Sequence, residues 1–277
     1  LMVGNSLTRG NIYGGDVQVI KGNGNASHTY FEKNITSRNT STLEFDKKWK
    51  NKSAIKLKQS VGFFNRKISI PDYSFAGLNT NSFTDLSYTF LKPKHTAIFG
   101  VNVIADQFRQ KDSALQNTET FTAGVYMQDT WDLTENVKIE SGLRIERVRY
   151  ENINYNKNET FVLPRLSLLF KISNKLSSRI GAGMGYKIPT IFTEQTESIQ
   201  YRNISALNNV EPEKSTGGTA DINFKTSVGE DLSFSINQLF FYTRINRPLV
   251  LETGLTGDLY FVNALKPVIS NGFETNV

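Results

Sequence analysis

Between Val137 and Tyr150 apolar and polar side chains alternate, with Val137, Ile139, Leu143 and Ile145 on one parity and Lys138, Glu140, Arg144 and Glu146 on the other. A period of two sends successive side chains to opposite faces of a β-strand. The pattern recurs along the chain. Val162, Leu166, Leu168 and Phe170 oppose Arg165, Ser167 and Lys171, while Leu176, Ile180, Ala182, Met184 and Tyr186 oppose Arg179, Gly181, Gly183 and Gly185. Ile55, Leu57, Val61 and Phe63, then Ala97, Phe99, Val101, Val103 and Ala105, then Ala220, Ile222 and Phe224 form further apolar faces. The middles of these faces carry no charge, although Gln59 and Gln238 fall on them, an intrusion that suits a position near a rim. About twelve strands are expected, each reaching the ~9–11 residues that a tilted strand needs to cross a bilayer. The alternation weakens at the start, near residues 11–21, and helix signals are absent.

The connections alternate in length. Lys50-Asn51-Lys52, Lys92-Pro93, Thr134-Glu135-Asn136, Ser173-Asn174-Lys175 and Gly229-Glu230-Asp231 read as short turns. Residues 67–81, 109–118, 151–158, 187–215 and 247–257 read as longer polar loops. Short turns on one rim and long loops on the other are the pattern of an outer-membrane barrel, with the short rim facing the periplasm. Trp49, Phe90, Trp131, Phe170 and Phe224 close the strands that enter short turns, where they would form an aromatic girdle at the headgroup level. The fold expected is therefore all-β: an up-and-down antiparallel wall of a transmembrane β-barrel, one domain over residues 1–277. The competing fold is a β-sandwich whose strands end in core-capping aromatics, but sandwich loops do not usually alternate in length so regularly.

Composition fits a thin wall. Only 38% of the 277 residues are hydrophobic while 12% are aromatic, little aliphatic content for a thick core. No run approaches the ~20 apolar residues of a membrane helix. There is no cysteine, and His28 and His95 stand far apart, so neither a metal site nor a cofactor is expected. The net charge of +6 is scattered, which argues against a nucleic-acid partner. A catalytic serine, as in a protease or lipase barrel, would need one of those two histidines in a recognisable setting. Glu140 and Glu146 share a face with Lys138 and Arg144, so charge compensation in a wet lumen is preferred over acid–base chemistry. No enzyme is expected.

Several segments resemble the barrel of TonB-dependent receptors, in the form common in Bacteroidetes-type bacteria. Tyr126-Met127-Gln128-Asp129-Thr130-Trp131 resembles the family's Tyr-x-Gln-Asp-x-Trp strand, and Gly185-Tyr186-Lys187-Ile188-Pro189-Thr190 its Gly-aromatic-basic-x-Pro-Ser/Thr stretch. Val210-Glu211-Pro212-Glu213-Lys214-Ser215, Phe241-Tyr242-Thr243-Arg244-Ile245 and Gly272-Phe273-Glu274 follow in the family's order. The resemblance covers roughly half the chain. It implies a Gram-negative outer-membrane receptor that captures a ferric siderophore, haem, cobalamin or glycan, in contact with lipid outside and energised by TonB through a plug domain. Such barrels close with about twenty-two strands. With no plug, TonB box, signal peptide or terminal aromatic strand in evidence, the chain is expected to be a partial barrel holding about half the wall.

Ligand contacts are expected in the external loops, where binding residues concentrate. Tyr73 and Phe75 would share one loop, Tyr201 and Arg202 another, and Arg109 would open a third. Rings and cations together suit an anionic, ring-bearing ligand such as a ferric siderophore; alternatively the rings pin their own loops together. Lys138, Glu140, Arg144, Arg165 and Arg179 are expected to face the lumen and the plug. A passive porin shares such a wall but needs a complete small ring and a constriction loop, and a β-rich surface adhesin is the remaining alternative.

Overall fold

The computed structural model describes the whole chain except Glu230 and Asp231, which carry most of the expected turn Gly229-Glu230-Asp231, and the side chain of Val228. Its strands are β1 (Met2–Gly15), β2 (Phe31–Lys48), β3 (Ala54–Ile70), β4 (Tyr73–Lys92), β5 (His95–Gln110), β6 (Thr118–Asp132), β7 (Val137–Asn152), β8 (Asn156–Lys171), β9 (Leu176–Lys187), β10 (Glu213–Val228), β11 (Leu232–Asn246), β12 (Leu249–Thr253), β13 (Leu259–Asn263) and β14 (Val268–Asn276). Twelve of them form one antiparallel sheet in the order β1 through β11, then β14, so each strand pairs with the next one of the sheet, and β12 and β13 form a separate hairpin between β11 and β14. β1 and β14 end the sheet and do not pair with each other. The up-and-down wall without closure is thus the fold that the alternation predicts.

One face of the sheet is apolar from strand to strand. Val101, Val125, Ile145 and Val162 lie opposite one another in consecutive ladders, and Phe99, Met127 and Leu143 form the next row. All of these are exposed in the chain, which suits a surface whose solvent is lipid. Trp49, Phe90, Trp131, Phe170 and Phe224 stand on this face toward the short-turn rim, where Trp131 stacks on His95 with ring centroids 5.5 Å apart.

The boundaries differ from expectation at several points. β1 already begins at Met2, because its polar residues find partners along the whole of β2. The expected loop 67–81 is a continuation of β3 and β4, joined only by Pro71-Asp72 with Asp72 at φ 61°. A proline followed by an aspartate tolerating the left-handed region makes so tight a turn; outside the bilayer the outer face need not stay apolar, so the pairing runs on with polar side chains. The expected loop 151–158 contracts to a turn at Ile153–Tyr155, where Asn152 accepts from the amides of Asn154 and Tyr155. Two short helices also occur, α1 (Val17–Ile20), capped by Asp16, and α2 (Glu194–Ser198), capped by Thr193. Both are too short for a hydrophobic period to announce them. Gln238 is mid-strand, not near a rim, and its Oε1 accepts from Thr275 at 2.6 Å, which gives the amide a partner on an apolar face.

Tyr186 also departs from the alternation. The β8–β9 ladder stops at Arg165 and Gly183, beside Pro164, which has no N–H to continue it. Above the break Tyr186 turns to the inner face, stacks on Phe161 at 3.8 Å and donates to Glu146 Oε2 at 2.5 Å.

Candidate functional site

The inner face is defined by what packs on it. Residues 188–212, between β9 and β10, fold back over the outer halves of β3, β4 and β5. Ile191, Tyr201, Ile204, Leu207 and Val210 bury themselves against Ile68, Phe75 and Phe108 of the sheet and Phe261 of β13. Burial of these side chains is the main force holding the segment. Polar bonds fix its course: Tyr73 Oη donates to the Tyr201 carbonyl at 3.0 Å, Gln116 to that of Ile204 at 2.7 Å, and Lys157 to that of Val210 at 2.9 Å. Arg66 on β3 pairs with Glu197 of α2 at 2.5 Å. Gln200, Tyr201, Asn203 and Asn209 all take positive φ, an uncommon concentration for residues with a Cβ, held by those contacts. The β12–β13 hairpin joins the same assembly, since Ser205 donates to the Leu259 carbonyl and the Leu259 amide to that of Asn203.

Between the segment and the wall lies a pocket of about 400 Å³ lined by Phe64, Arg66, Phe75, Gly77, Phe108, Phe192, Glu197 and Tyr201. Phe75 and Phe108 are nearly parallel at 6.0 Å, and Phe192 meets Phe108 edge-on at 4.7 Å. Gly77 is required here, because a Cβ on it would lie 2.3 Å from the Phe108 ring. Burial raises the Tyr201 phenol above its ordinary range, so it stays neutral. A cavity walled by aromatic faces, with the Arg66 guanidinium and the carboxylates of Glu194 and Glu197 at its edge, accepts a flat or ring-bearing ligand with polar substituents.

The expected contact residues divide. Tyr73, Phe75 and Arg109 are strand residues, not loop residues, because the β-pairing extends beyond the bilayer. Phe75 and Tyr201 are buried at 4% and 7% exposure and line the pocket. Tyr73 packs against the hydrophobic cluster but does not line the pocket, whereas Arg109 pairs with Glu119 at 3.0 Å away from it and Arg202 is exposed. Phe64, Arg66, Phe108 and Phe192 were not singled out by the sequence. Phe64, Arg66 and Phe108 could have been found by parity, since all three take the polar side of their strands' alternation.

Lower on the inner face the expected lumen residues form pairs: Lys138 with Asp132 at 2.9 Å, Arg165 with Glu140 at 3.6 Å and Arg144 with Glu146 at 3.5 Å. Arg144 also lies over the Tyr126 ring, whose hydroxyl donates to Asp85 at 2.9 Å. Arg179 is exposed on the same face without an ion pair among the described residues. Among the described residues no cluster of acidic or histidine side chains could hold a metal.

The family model for the TonB-dependent receptor-like β-barrel matches residues 3–277. No curated protein matches the sequence. Solved structures do. The FrpB iron transporter from Neisseria meningitidis (F5-1 variant) superposes with a TM-score of 0.73 at 13% identity, covering 99% of this chain and 47% of that one. A double mutant of the Serratia marcescens hemophore receptor HasR, in complex with its hemophore HasA and heme, gives 0.72 at 12% identity, with 99% and 49% covered. The siderophore receptor PirA from Pseudomonas aeruginosa gives 0.66 at 14% identity, with 89% and 48% covered. The chain spans about half the length of each.

Proposed function

Since this chain belongs to the TonB-dependent receptor-like β-barrel family and is a protein of the Gram-negative outer membrane, we propose that it forms the wall and ligand-capturing part of a nutrient-uptake receptor energised through TonB, with a ferric siderophore as cargo. The observation that carries this reading is the aromatic pocket between residues 188–212 and the strands β3 to β5. Its rings offer stacking surfaces to the aromatic or acyl groups of an iron chelate, and Arg66 offers a cation to its charge. The relatives named for iron and siderophore transport support the cargo class. In this reading no bond of the ligand is made or broken, so the chain is a carrier and not an enzyme.

The test is uptake of ⁵⁵Fe by iron-starved cells carrying the full-length receptor, offered as catecholate, hydroxamate and citrate chelates in turn. Accumulation of one chelate, abolished by loss of TonB and by Phe108→Ala, is the expected result. Uptake of none of them, or uptake indifferent to TonB, overturns the siderophore reading.

A further inference from the structure

The outer face of the wall is not apolar throughout. On β5 to β8 every outward side chain five to nine residues from the short-turn end of its strand is apolar, as in Val101, Val125, Leu143, Ile145 and Leu166. On β1 to β4 the same zone carries Asn5, Asn39, Ser41, Gln59 and Thr84, on the face that also bears Leu43, Val61 and Phe63. Gln59 and Ser41 lie five and seven residues from the short-turn ends of β3 and β2. At ~3.3 Å per residue and a tilt of ~40°, that is about 13 and 18 Å up a band ~25 Å tall, so Gln59 is well inside the membrane and not near a rim. Trp49, which meets Tyr88 at 6.2 Å between ring centroids, marks the lower limit of the band on these same strands.

These polar groups satisfy one another only in part. Asn5 Nδ2 donates to Asn39 Oδ1 at 2.9 Å and to Ser41 Oγ at 2.8 Å. The Asn5 side-chain carbonyl, the Asn39 amide hydrogens, the Ser41 hydroxyl hydrogen and both ends of the Gln59 amide have no partner among the described residues. Hydrocarbon offers such groups no hydrogen bond, so each is costly against lipid. Further strands of a barrel join at the edges β1 and β14 and extend the wall sideways, without covering its outer face. The cover has to come from another molecule that brings donors and acceptors of its own to this depth.

We infer that this sector, with Asn5, Asn39, Ser41 and Gln59 set among Leu43 and Val61, is the contact between two copies of the receptor paired side by side in the membrane, about a two-fold axis along the bilayer normal. Two properties select a second copy over an unrelated protein. The patch holds no charge, and amides and hydroxyls both donate and accept, so it complements itself. Copies inserted in the same direction also sit at the same height. A two-fold axis therefore brings each polar group opposite groups at its own depth, where they hydrogen-bond as polar side chains do between membrane segments. The inference depends on the place of the chain in the outer membrane and not on the cargo.

The test uses the full-length receptor in native outer membranes. Ser41→Cys and Gln59→Cys are each oxidised with copper-phenanthroline, and Val125→Cys, at the same height on β6, is the control. A reducible band at twice the receptor's mass is expected from the first two and not from the control. When copies with two different epitope tags are co-expressed, both tags should appear in that band. The triple change Asn5→Leu, Asn39→Leu and Gln59→Leu makes the sector apolar. The crosslink through Ser41→Cys should then fall about tenfold, as for the loss of one decade in the association constant, while heat-modifiable migration shows the barrel still assembled. No band, a band that holds a different protein, an equal band from Val125→Cys, or a triple variant with an unchanged crosslink overturns the inference. So does a triple variant that fails to assemble, because the polar groups then serve the barrel itself. ⁵⁵Fe uptake enters none of these readouts, so failure of the siderophore reading leaves the inference standing.

Discussion

Replacing Leu143 by arginine should prevent much of the receptor from assembling, whereas Arg144→Ala, one residue along, should be mild. Leu143 lies on the outer face of β7 between Met127 and Pro164 in the ladders, one row from Val125, Ile145 and Val162. It is six residues from the strand's start at the short-turn rim. At ~3.3 Å per residue and a tilt of ~40° that is about 15 Å up a band ~25 Å tall, close to the midplane and too deep for the side chain to snorkel out. A cation there costs ~2–4 kcal/mol, about one and a half to three orders of magnitude in the folding equilibrium. Arg144 faces the lumen, and its removal gives up a 3.5 Å contact with Glu146 and the Tyr126 ring face. Glu146 keeps the Tyr186 hydroxyl, so a loss of ~1 kcal/mol is expected. The assay is the fraction of full-length receptor that runs as the compact, heat-modifiable form after outer-membrane extraction. Equal losses for the two variants would show that the faces have been assigned the wrong way round.

Phe75→Ala removes a ring at 4% exposure from the cluster under residues 188–212; a loss of ~3–5 kcal/mol should fall on that segment, read as new protease cleavage within 188–212 while the barrel stays heat-modifiable. Arg66→Ala frees Glu197 but breaks a partly exposed pair, so assembly should change by ~1 kcal/mol or less while chelate uptake falls clearly; the reverse order of effects would remove Arg66 from the pocket's function. Asp16 accepts from His28 at 2.5 Å, and that hydrogen bond lowers its carboxyl pKa. A depressed folded pKa means support for residues 16–30 that is complete above the ordinary carboxylate value of ~3.9 and lost as pH falls through the lower folded value. Cleavage of that connection by an acid-active protease should therefore rise below pH ~4, and Asp16→Asn should make it pH-independent. Burial pushes the Tyr155 phenol up to about 12, so its ultraviolet ionisation signal should be missing at pH ~11, where free tyrosine has ionised.

The wall was legible wherever lipid dictates the pattern. Along β5 to β9 most outward side chains at membrane depth are apolar, with small Ser141 and Ser178 as exceptions, so Phe99, Val125, Ile145 and Ile180 announce both strand and face. Outside the bilayer that constraint lapses, and the upper part of β3 and β4, with Lys67 and Ser69 outward, looks like a polar loop although it is paired throughout. Tyr186 misled for a different reason: parity presumes an unbroken ladder, and Pro164 acts across a strand pair. The pocket was half visible. The sequence offers Phe75 as one of two rings in a loop and Tyr201 as a ring beside a cation, but their meeting depends on residues 188–212 crossing to distant strands, a long-range packing event with no local period. Arg109 and Arg202 shared the same local signature and lie elsewhere.

The height of β3 and β4 also has a thermodynamic side. Because Phe64, Arg66, Phe75 and Phe108 are carried by paired strands, their backbone conformations are fixed before any ligand arrives, and the ordering entropy that a flexible loop would lose on capture, about 1–2 kcal/mol per residue, has already been lost in folding. Half of the pocket is therefore a rigid template. Only the face supplied by residues 188–212 can adjust, so differences in affinity among chelates of similar size should arise mainly as differences in dissociation rate set by that segment, with association nearly common to them all.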